Sequence, residues 1–309
     1  MRPMRLFFGA ALLVAVHLFS ACTQTPSYQE RQVAGHMPAG IAESSGITVS
    51  RRDPRLFWTH NDSGGQPVIY GIEPNGVRRG DVRLAGLKNT DWEDIASFEL
   101  DGKAWILIAD TGDNYGRRHD CALYVIAEPD PAQLVPFTEL TVPVAWKIPV
   151  RYLDGPHDCE AVAVDAKAGV VYLLTKRTKP PVLMTLPLRA SADPLGVAAT
   201  PVARLHDFPQ PSAMQRLLPI PSGTYRGEPT GMDFASDGSA AVVVTYGNVC
   251  LFPRQPGESW AQALSRKPQV LPPHGLAQAE GVGFAQDSHT IYVTSEGADS
   301  PILRYKPEQ

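Results

Sequence analysis

Three features of the sequence predict an all-β chain folded as a five-bladed β-propeller: a pattern repeated five times, regular spacing of its copies, and an abundance of turn residues. The pattern is an oxygen-bearing side chain followed by apolar residues two and four positions on, or two and five in the Glu93 copy. It occurs at Ser45-Gly46-Ile47-Thr48-Val49, Glu93-Asp94-Ile95-Ala96-Ser97-Phe98, Glu160-Ala161-Val162-Ala163-Val164, Thr230-Gly231-Met232-Asp233-Phe234 and Glu280-Gly281-Val282-Gly283-Phe284. Successive first residues lie 48, 67, 70 and 50 positions apart, which suits one blade per interval. With 29 Pro and 26 Gly among 309 residues and only 19% charged, the chain suits short strands joined by tight turns and has no long amphipathic helix.

The elements follow in chain order. Arg2 and Arg5 precede an apolar run from Leu6 to Phe19 and then Ser20-Ala21-Cys22, the layout of an export signal over residues 1–21. The run is short for a bilayer span. Small residues before a cysteine resemble a bacterial lipobox, so Cys22 is the expected lipidation site and residues 22–30 a polar tether. The expected location is therefore the bacterial cell envelope, with the protein lipid-anchored there. Residues 31–309 form a single propeller domain. Each anchor strand is followed by a second strand, at Leu56 to Thr59, Ala104 to Ala109, Val170 to Thr175, Ala240 to Thr245 and Thr290 to Thr294. Turn sequences such as Ser236-Asp237-Gly238 separate the two, as hairpins require. Third strands are expected at Val68 to Tyr70, Leu123 to Ile126, Val182 to Met184 and Ile302 to Tyr305. Fourth strands are expected at Val77 to Leu84, Thr141 to Ile148, Val202 to Phe208 and Gln269 to Leu271. The last repeat ends after three strands, and Gln32 to Met37 can supply the fourth, closing the ring and covering two bare edges. Six blades is the alternative, because the Pro-rich residues 189–226 read as an insertion yet have room for a degenerate blade.

The first residue of each innermost strand faces the channel mouth, which makes Ser45, Glu93, Glu160, Thr230 and Glu280 the expected ring. Three carboxylates at close range raise one another's pKa unless a cation intervenes. Oxygen ligands without His or Cys favour Ca²⁺ over zinc or copper. Against this stands the simpler reading that the glutamates accept backbone N–H bonds or pair with arginine. Second-strand ends rim the same mouth: Thr59-His60-Asn61-Asp62, Asp110-Thr111-Gly112-Asp113-Asn114, Thr175-Lys176-Arg177, Thr245-Tyr246 and Thr294-Ser295-Glu296. Catalytic candidates are Asp62 or Asp110 to orient a water and Lys176 or Arg177 to hold developing negative charge.

The formal charge of −4 carries no basic footprint for nucleic acid. Beyond Cys22, Cys250 reads as a buried small hydrophobe. Cys121 and Cys159, each preceded by His-Asp, could pair, and spacing leaves that open. No Ser-His-Asp order, Walker loop or zinc signature is present.

The order hydroxyl, Glu, Glu, hydroxyl, Glu resembles the calcium site of the calcium-activated nucleotidase (apyrase) family, whose fold is a five-bladed propeller around one Ca²⁺. Ser45-Gly46-Ile47, Trp92-Glu93-Asp94-Ile95-Ala96 and Glu280-Gly281-Val282 resemble ligand segments of that family. Asn61-Asp62-Ser63-Gly64 resembles its Asp-Asp-Arg-Thr-Gly stretch, and Thr175-Lys176-Arg177 sits where the family has Pro-Arg-Arg. Thr230 stands in place of serine, the arginine of the first rim motif is absent, and the tryptophan precedes Glu93 instead of following it. The chain is also similar to a group of uncharacterised exported bacterial proteins with His-Asn-Asp-Ser-Gly, Asp-Trp-Glu-Asp-Ile-Ala and Asp-Thr-Gly-Asp-Asn motifs, present here at 60–64, 91–96 and 110–114. The resemblance to the nucleotidase family implies a calcium-dependent phosphohydrolase acting on phosphate esters or anhydrides, whereas the second likeness brings no known activity. The alternative is a non-catalytic propeller that binds a small-molecule or envelope ligand at its mouth. A monomer that touches membrane only through its lipid is expected.

Overall fold

The computed structural model describes residues 26–189, 196–219 and 223–308 of the chain. The expected export signal and Cys22 lie outside the described residues. Among the described residues no helix is long and apolar enough to cross a membrane.

The fold is all-β. Strands β1 (Gln32–His36) to β5 open the chain, and β2 (Ser44–Val49), β3 (Phe57–Asn61), β4 (Val68–Ile72) and β5 (Arg78–Leu84) run antiparallel in sequence order. The next set is β6 (Trp92–Leu100), β7 (Lys103–Asp110), β8 (Ala122–Ala127), β9 (Glu139–Val142) and β10 (Trp146–Tyr152). Here β9 leaves its neighbours to pair in parallel with β5, whereas β10 pairs with β8. Strands β11 (Cys159–Asp165), β12 (Val170–Thr175), β13 (Val182–Pro187) and β14 (Val197–Arg204) form a third set. Parallel pairing of β10 with β14 fuses the second and third sets into an eight-stranded sheet, nearly closed because its end strands β6 and β11 pack together. A fourth set, a sheet of its own, holds β15 (Pro229–Phe234), β16 (Ala240–Thr245), β17 (Val249–Pro253) and β18 (Gln269–Val270), with the short helix α1 (Trp260–Leu264) between the last two. The fifth holds β19 (Ala279–Phe284), β20 (Ile291–Ser295) and β21 (Pro301–Tyr305), and β1 completes it by pairing with β21. The expected pairing of the N-terminal strand with the C-terminal one is therefore present.

Most strands carry apolar side chains on both faces because each sheet is covered on both sides. Phe57, Trp58, Leu107, Leu173, Val243 and Val293 are at most 1% exposed. The apolar residues divide into five clusters, each made from two neighbouring sets of strands. One joins Trp58 and Ile69 to Ile95 and Ile106, and another joins Val242 and Leu251 to Val282 and Leu303. Each such residue contributes about 1.5–3 kcal/mol on burial.

The lead strands β2, β6, β11, β15 and β19 pack side by side, each against the next and β19 against β2. Small residues allow that approach. A Cβ on Gly231 would lie 2.3 Å from the backbone oxygen of Glu280. Gly231→Ala is therefore expected to lower stability by about 2–3 kcal/mol, read from urea unfolding, because backbone must shift to admit the methyl group.

Two sequence expectations need correction. Thr141 to Ile148 is not one strand: Pro143 has no N–H to donate, and the chain switches there from β9 on one sheet to β10 on another. The stretch 189–226 contributes β14, starting earlier than expected, and one 3₁₀ turn at Gln215–Leu217, so its described residues hold no further set of strands. Cys121, Cys159 and Cys250 are buried free thiols. The last residues of the expected tether are docked: Tyr28 bridges to Pro307, is 8% exposed, and donates its hydroxyl to the His289 carbonyl at 2.9 Å.

Candidate functional site

A β-bulge at the start of every lead strand builds the site. Pairing of lead strand with second strand skips a residue between Ser44 and Gly46, Trp92 and Asp94, Cys159 and Ala161, and Pro229 and Gly231, and skips two between Ala279 and Val282. The skipped positions include Ser45, Glu93, Glu160, Thr230 and Glu280. A bulged residue leaves the ladder and its side chain is re-aimed. Here five bulges release the five anchors expected at the mouth, and all are at most 3% exposed.

Four of the five come together. Ser45 Oγ lies 3.5 Å from Glu93 Oε2. Lys176 Nζ contacts Glu160 Oε2 at 2.6 Å and stands 5.0 Å from the ring centre of Tyr246. Burial alone would lower the Lys176 pKa, but Glu160, Glu280, Tyr246 and Glu93 together raise it well above the usual lysine value. Thr230 does not join: its hydroxyl donates to the Ala279 carbonyl at 2.7 Å. The axis thus holds an internal ammonium where the sequence led us to expect a cation from solution.

One ammonium does not balance the carboxylates. Burial, then neighbouring acids, pushes Glu93 well above the usual range, and burial does the same to Glu280. Glu160 is raised to about 7 by burial even with Lys176 attached. Glu280 Oε2 is buried with no hydrogen-bond partner.

Beside the axis lie two carboxylate triads that share Glu93: Asp62, Asp91 and Glu93, and Glu93, Asp158 and Glu160. In each triad one oxygen per residue lies within 4.8 Å of the others. A cation with bonds of about 2.3–2.6 Å spans such a spacing. Asp62 is raised to about 7 and Asp91 to about 6, both chiefly by burial. Asp62 Oδ1 is buried without a partner. Space here is tight, since a Cβ on Gly112 would fall 1.9 Å from Glu93 Oε1.

The other rim candidates are committed within the protein. Asp110 pairs with Arg118 at 2.7 Å and accepts the Asp91 N–H, so it is held by the fold and is not free to orient a water. Arg177 pairs with Asp158 at 2.8 Å and donates to Asn114, with its side chain 38% exposed. His60 is fully buried edge-on to Trp92, and burial lowers its pKa to about 4. The threonines tie strands together, as Thr59 does to the Gly46 carbonyl and Thr111 to the Cys159 carbonyl, each at 2.7 Å.

Sequence reasoning passed over Asp91 and Asp158, yet a signal was available. Each stands two residues before an anchor, and Glu43, Glu228 and Gln278 occupy the same position in the other repeats. It also passed over Asp94 and Asp233. Asp94 Oδ2 accepts the N–H groups of Val162 at 2.8 Å and Met232 at 3.2 Å, and Asp233 Oδ2 accepts that of Phe284 at 2.8 Å. These carboxylates tie lead strands to one another below the mouth.

The raised carboxylates set the pH dependence of stability. Each binds its proton more tightly in the folded chain than in the unfolded one, so stability falls as pH rises from the ordinary carboxylate range through about 6 to 7. In a chelator, the melting temperature is expected to be several degrees higher at pH 5 than at pH 7.5, as differential scanning fluorimetry would register.

No family model matches the chain, and no curated protein matches it. Among solved structures, a chain in the crystal structure of a nidogen/laminin complex is similar to it at 16% sequence identity. The TM-score is 0.42, over 82% of this chain and 73% of that one.

Proposed function

We propose that the chain is an exported, lipid-anchored five-bladed β-propeller that holds a hard divalent cation, Ca²⁺, at one mouth and hydrolyses a phosphate ester or anhydride there. Five lead strands packed in succession and five interdigitated apolar clusters support the blade count. The cation rests on one observation: the five carboxylates of the two triads outnumber the two cations paired with them, Lys176 and Arg177. Asp62, Asp91 and Glu93, or Glu93, Asp158 and Glu160, would hold the ion, and these all-oxygen donors fit calcium. An ion held by these carboxylates would supply Lewis-acid polarisation of a phosphoryl oxygen. When the second triad, Glu93, Asp158 and Glu160, holds the ion, Asp62 is left to orient an attacking water. Arg177, 38% exposed at the rim, would hold charge on the substrate only by giving up its pairing with Asp158.

Hydrolysis of nucleoside diphosphates and of a generic phosphodiester, with Ca²⁺ and with chelator, tests this. Glu93→Gln touches both triads and is expected to lower kcat at least 100-fold and to remove the calorimetric signal of Ca²⁺ binding. A protein that binds Ca²⁺ yet hydrolyses no phosphate tested would point to the second reading, a binding propeller for a small-molecule or envelope ligand. That reading has its own support, since Asp110, Lys176 and Arg177 are all paired within the protein.

A further inference from the structure

Away from the mouth carboxylates, a cleft of about 430 Å³ opens where β8, β10 and β14 meet. Its charged lining is Arg118, His119, Lys147 and Arg151 against one acid, Asp120. That imbalance runs counter to a chain whose formal charge is −4. Asp120 is held by Arg118 at 3.1 Å, and the remaining Arg118 nitrogens donate to Asp110 and the Gly112 carbonyl. Arg118 is therefore spent on the protein. Lys147, Arg151 and His119 are exposed and have no acidic partner among the described residues. Strand alternation places them: Ile148 and Val150 enter the core, while Lys147, Pro149 and Arg151 share the outer face of β10. Lys147 Nζ stands 5.4 Å from the ring centre of Tyr124, directly opposite it on β8.

We propose that this cleft binds a linear oligoanion, a chain bearing phosphate or sulfate groups. Lys147 and Arg151 sit four residues apart on one strand, about 13 Å between their Cα atoms, so a single small anion meets both only if the two side chains bend toward each other. A ligand with anionic groups repeated over about a nanometre meets both cations at once. Neither exposed cation has an acidic partner among the described residues, so both are available to such a ligand, and their attraction weakens with added salt. This site is independent of any cation at the mouth.

Calorimetric titration of the whole protein with tripolyphosphate and with a sulfated oligosaccharide, both in chelator so that no metal bridges the anion, tests the proposal. Saturable binding of at least one probe is expected, weakening as salt rises, and the probe that binds identifies the source of the anion. The double variant K147E/R151E is expected to weaken binding at least tenfold, whereas K103E/K267E, the same charge change at exposed lysines elsewhere, leaves it within twofold. The milder pair K147Q/R151Q serves if charge reversal impairs folding. Absence of binding by the unmodified protein, or equal losses in both double variants, would overturn the assignment.

Discussion

Replacing Lys176 with methionine is expected to lower the unfolding free energy by about 3–5 kcal/mol at pH 8 in chelator, because it strands Glu160 and its neighbours as buried carboxylates without a counter-charge. In a domain of this size that corresponds to a fall of about 10 °C in melting temperature. The effect should shrink at low pH. Glu160 titrates near 7, and once protonated it no longer needs the ammonium, so the gap between Lys176→Met and the parent should narrow markedly by pH 5.5. Lys176 itself stays charged across this range, since its neighbours hold its pKa above the usual value. Added Ca²⁺ separates two accounts of the axis. If the triads take a cation, millimolar Ca²⁺ should restore part of the lost stability of Lys176→Met, because a dication then supplies the missing positive charge. If the ammonium alone neutralises the site, the variant should remain as unstable with Ca²⁺ as without it. Urea unfolding at pH 5.5 and pH 8, with and without the ion, measures all four quantities.

Asp94→Ala is the second large effect. The Asp94 carboxylate is fully buried and accepts N–H groups from Ile95, Val162 and Met232, so it ties β6 to β11 and β15. Burial pushes its pKa well above the usual range, and the three N–H bonds act in the opposite direction. Truncation leaves those donors without acceptors, at about 1–3 kcal/mol for each group lost. The expected total is about 3–5 kcal/mol. Asp94→Asn keeps one acceptor oxygen and should cost about half as much. Ca²⁺ should not rescue either variant, because Asp94 belongs to neither triad. Chemical denaturation of the three proteins with and without Ca²⁺ decides this, and a Ca²⁺-dependent rescue of Asp94→Ala would place Asp94 in a cation site instead.

The sequence made the repeats legible because each lead strand begins with an oxygen-bearing residue and continues with small or apolar ones, and each hairpin is bounded by turn residues. It also made the pairing of β1 with β21 legible, since a repeat short of one strand needs a partner. Lys176 was recognised as a mouth residue, but its role was not. A Thr-Lys-Arg sequence says nothing of whether the lysine side chain turns outward to solvent or inward to Glu160, and only the three-dimensional crowding of acids decides that. Thr230 shows the opposite failure. It has the expected type at the expected position, yet a carbonyl on the next lead strand claims its hydroxyl. The bulges were invisible because a skipped residue leaves the apolar alternation nearly intact. Asp94 and Asp233 were passed over for a similar reason, as charged residues in positions that otherwise read as core.

The docking of Tyr28 fixes a distance that composition alone leaves open. Hydrogen bonding already holds the Pro26 carbonyl, which accepts from Gln269 at 2.9 Å, so the leash between Cys22 and the first secured residue spans four peptide steps, at most about 14 Å. Under the proposed lipid anchor, an acyl chain on Cys22 would keep the face around β18 within about that reach of the bilayer. Standoff would be set by how firmly the segment from Pro26 to Tyr28 is seated.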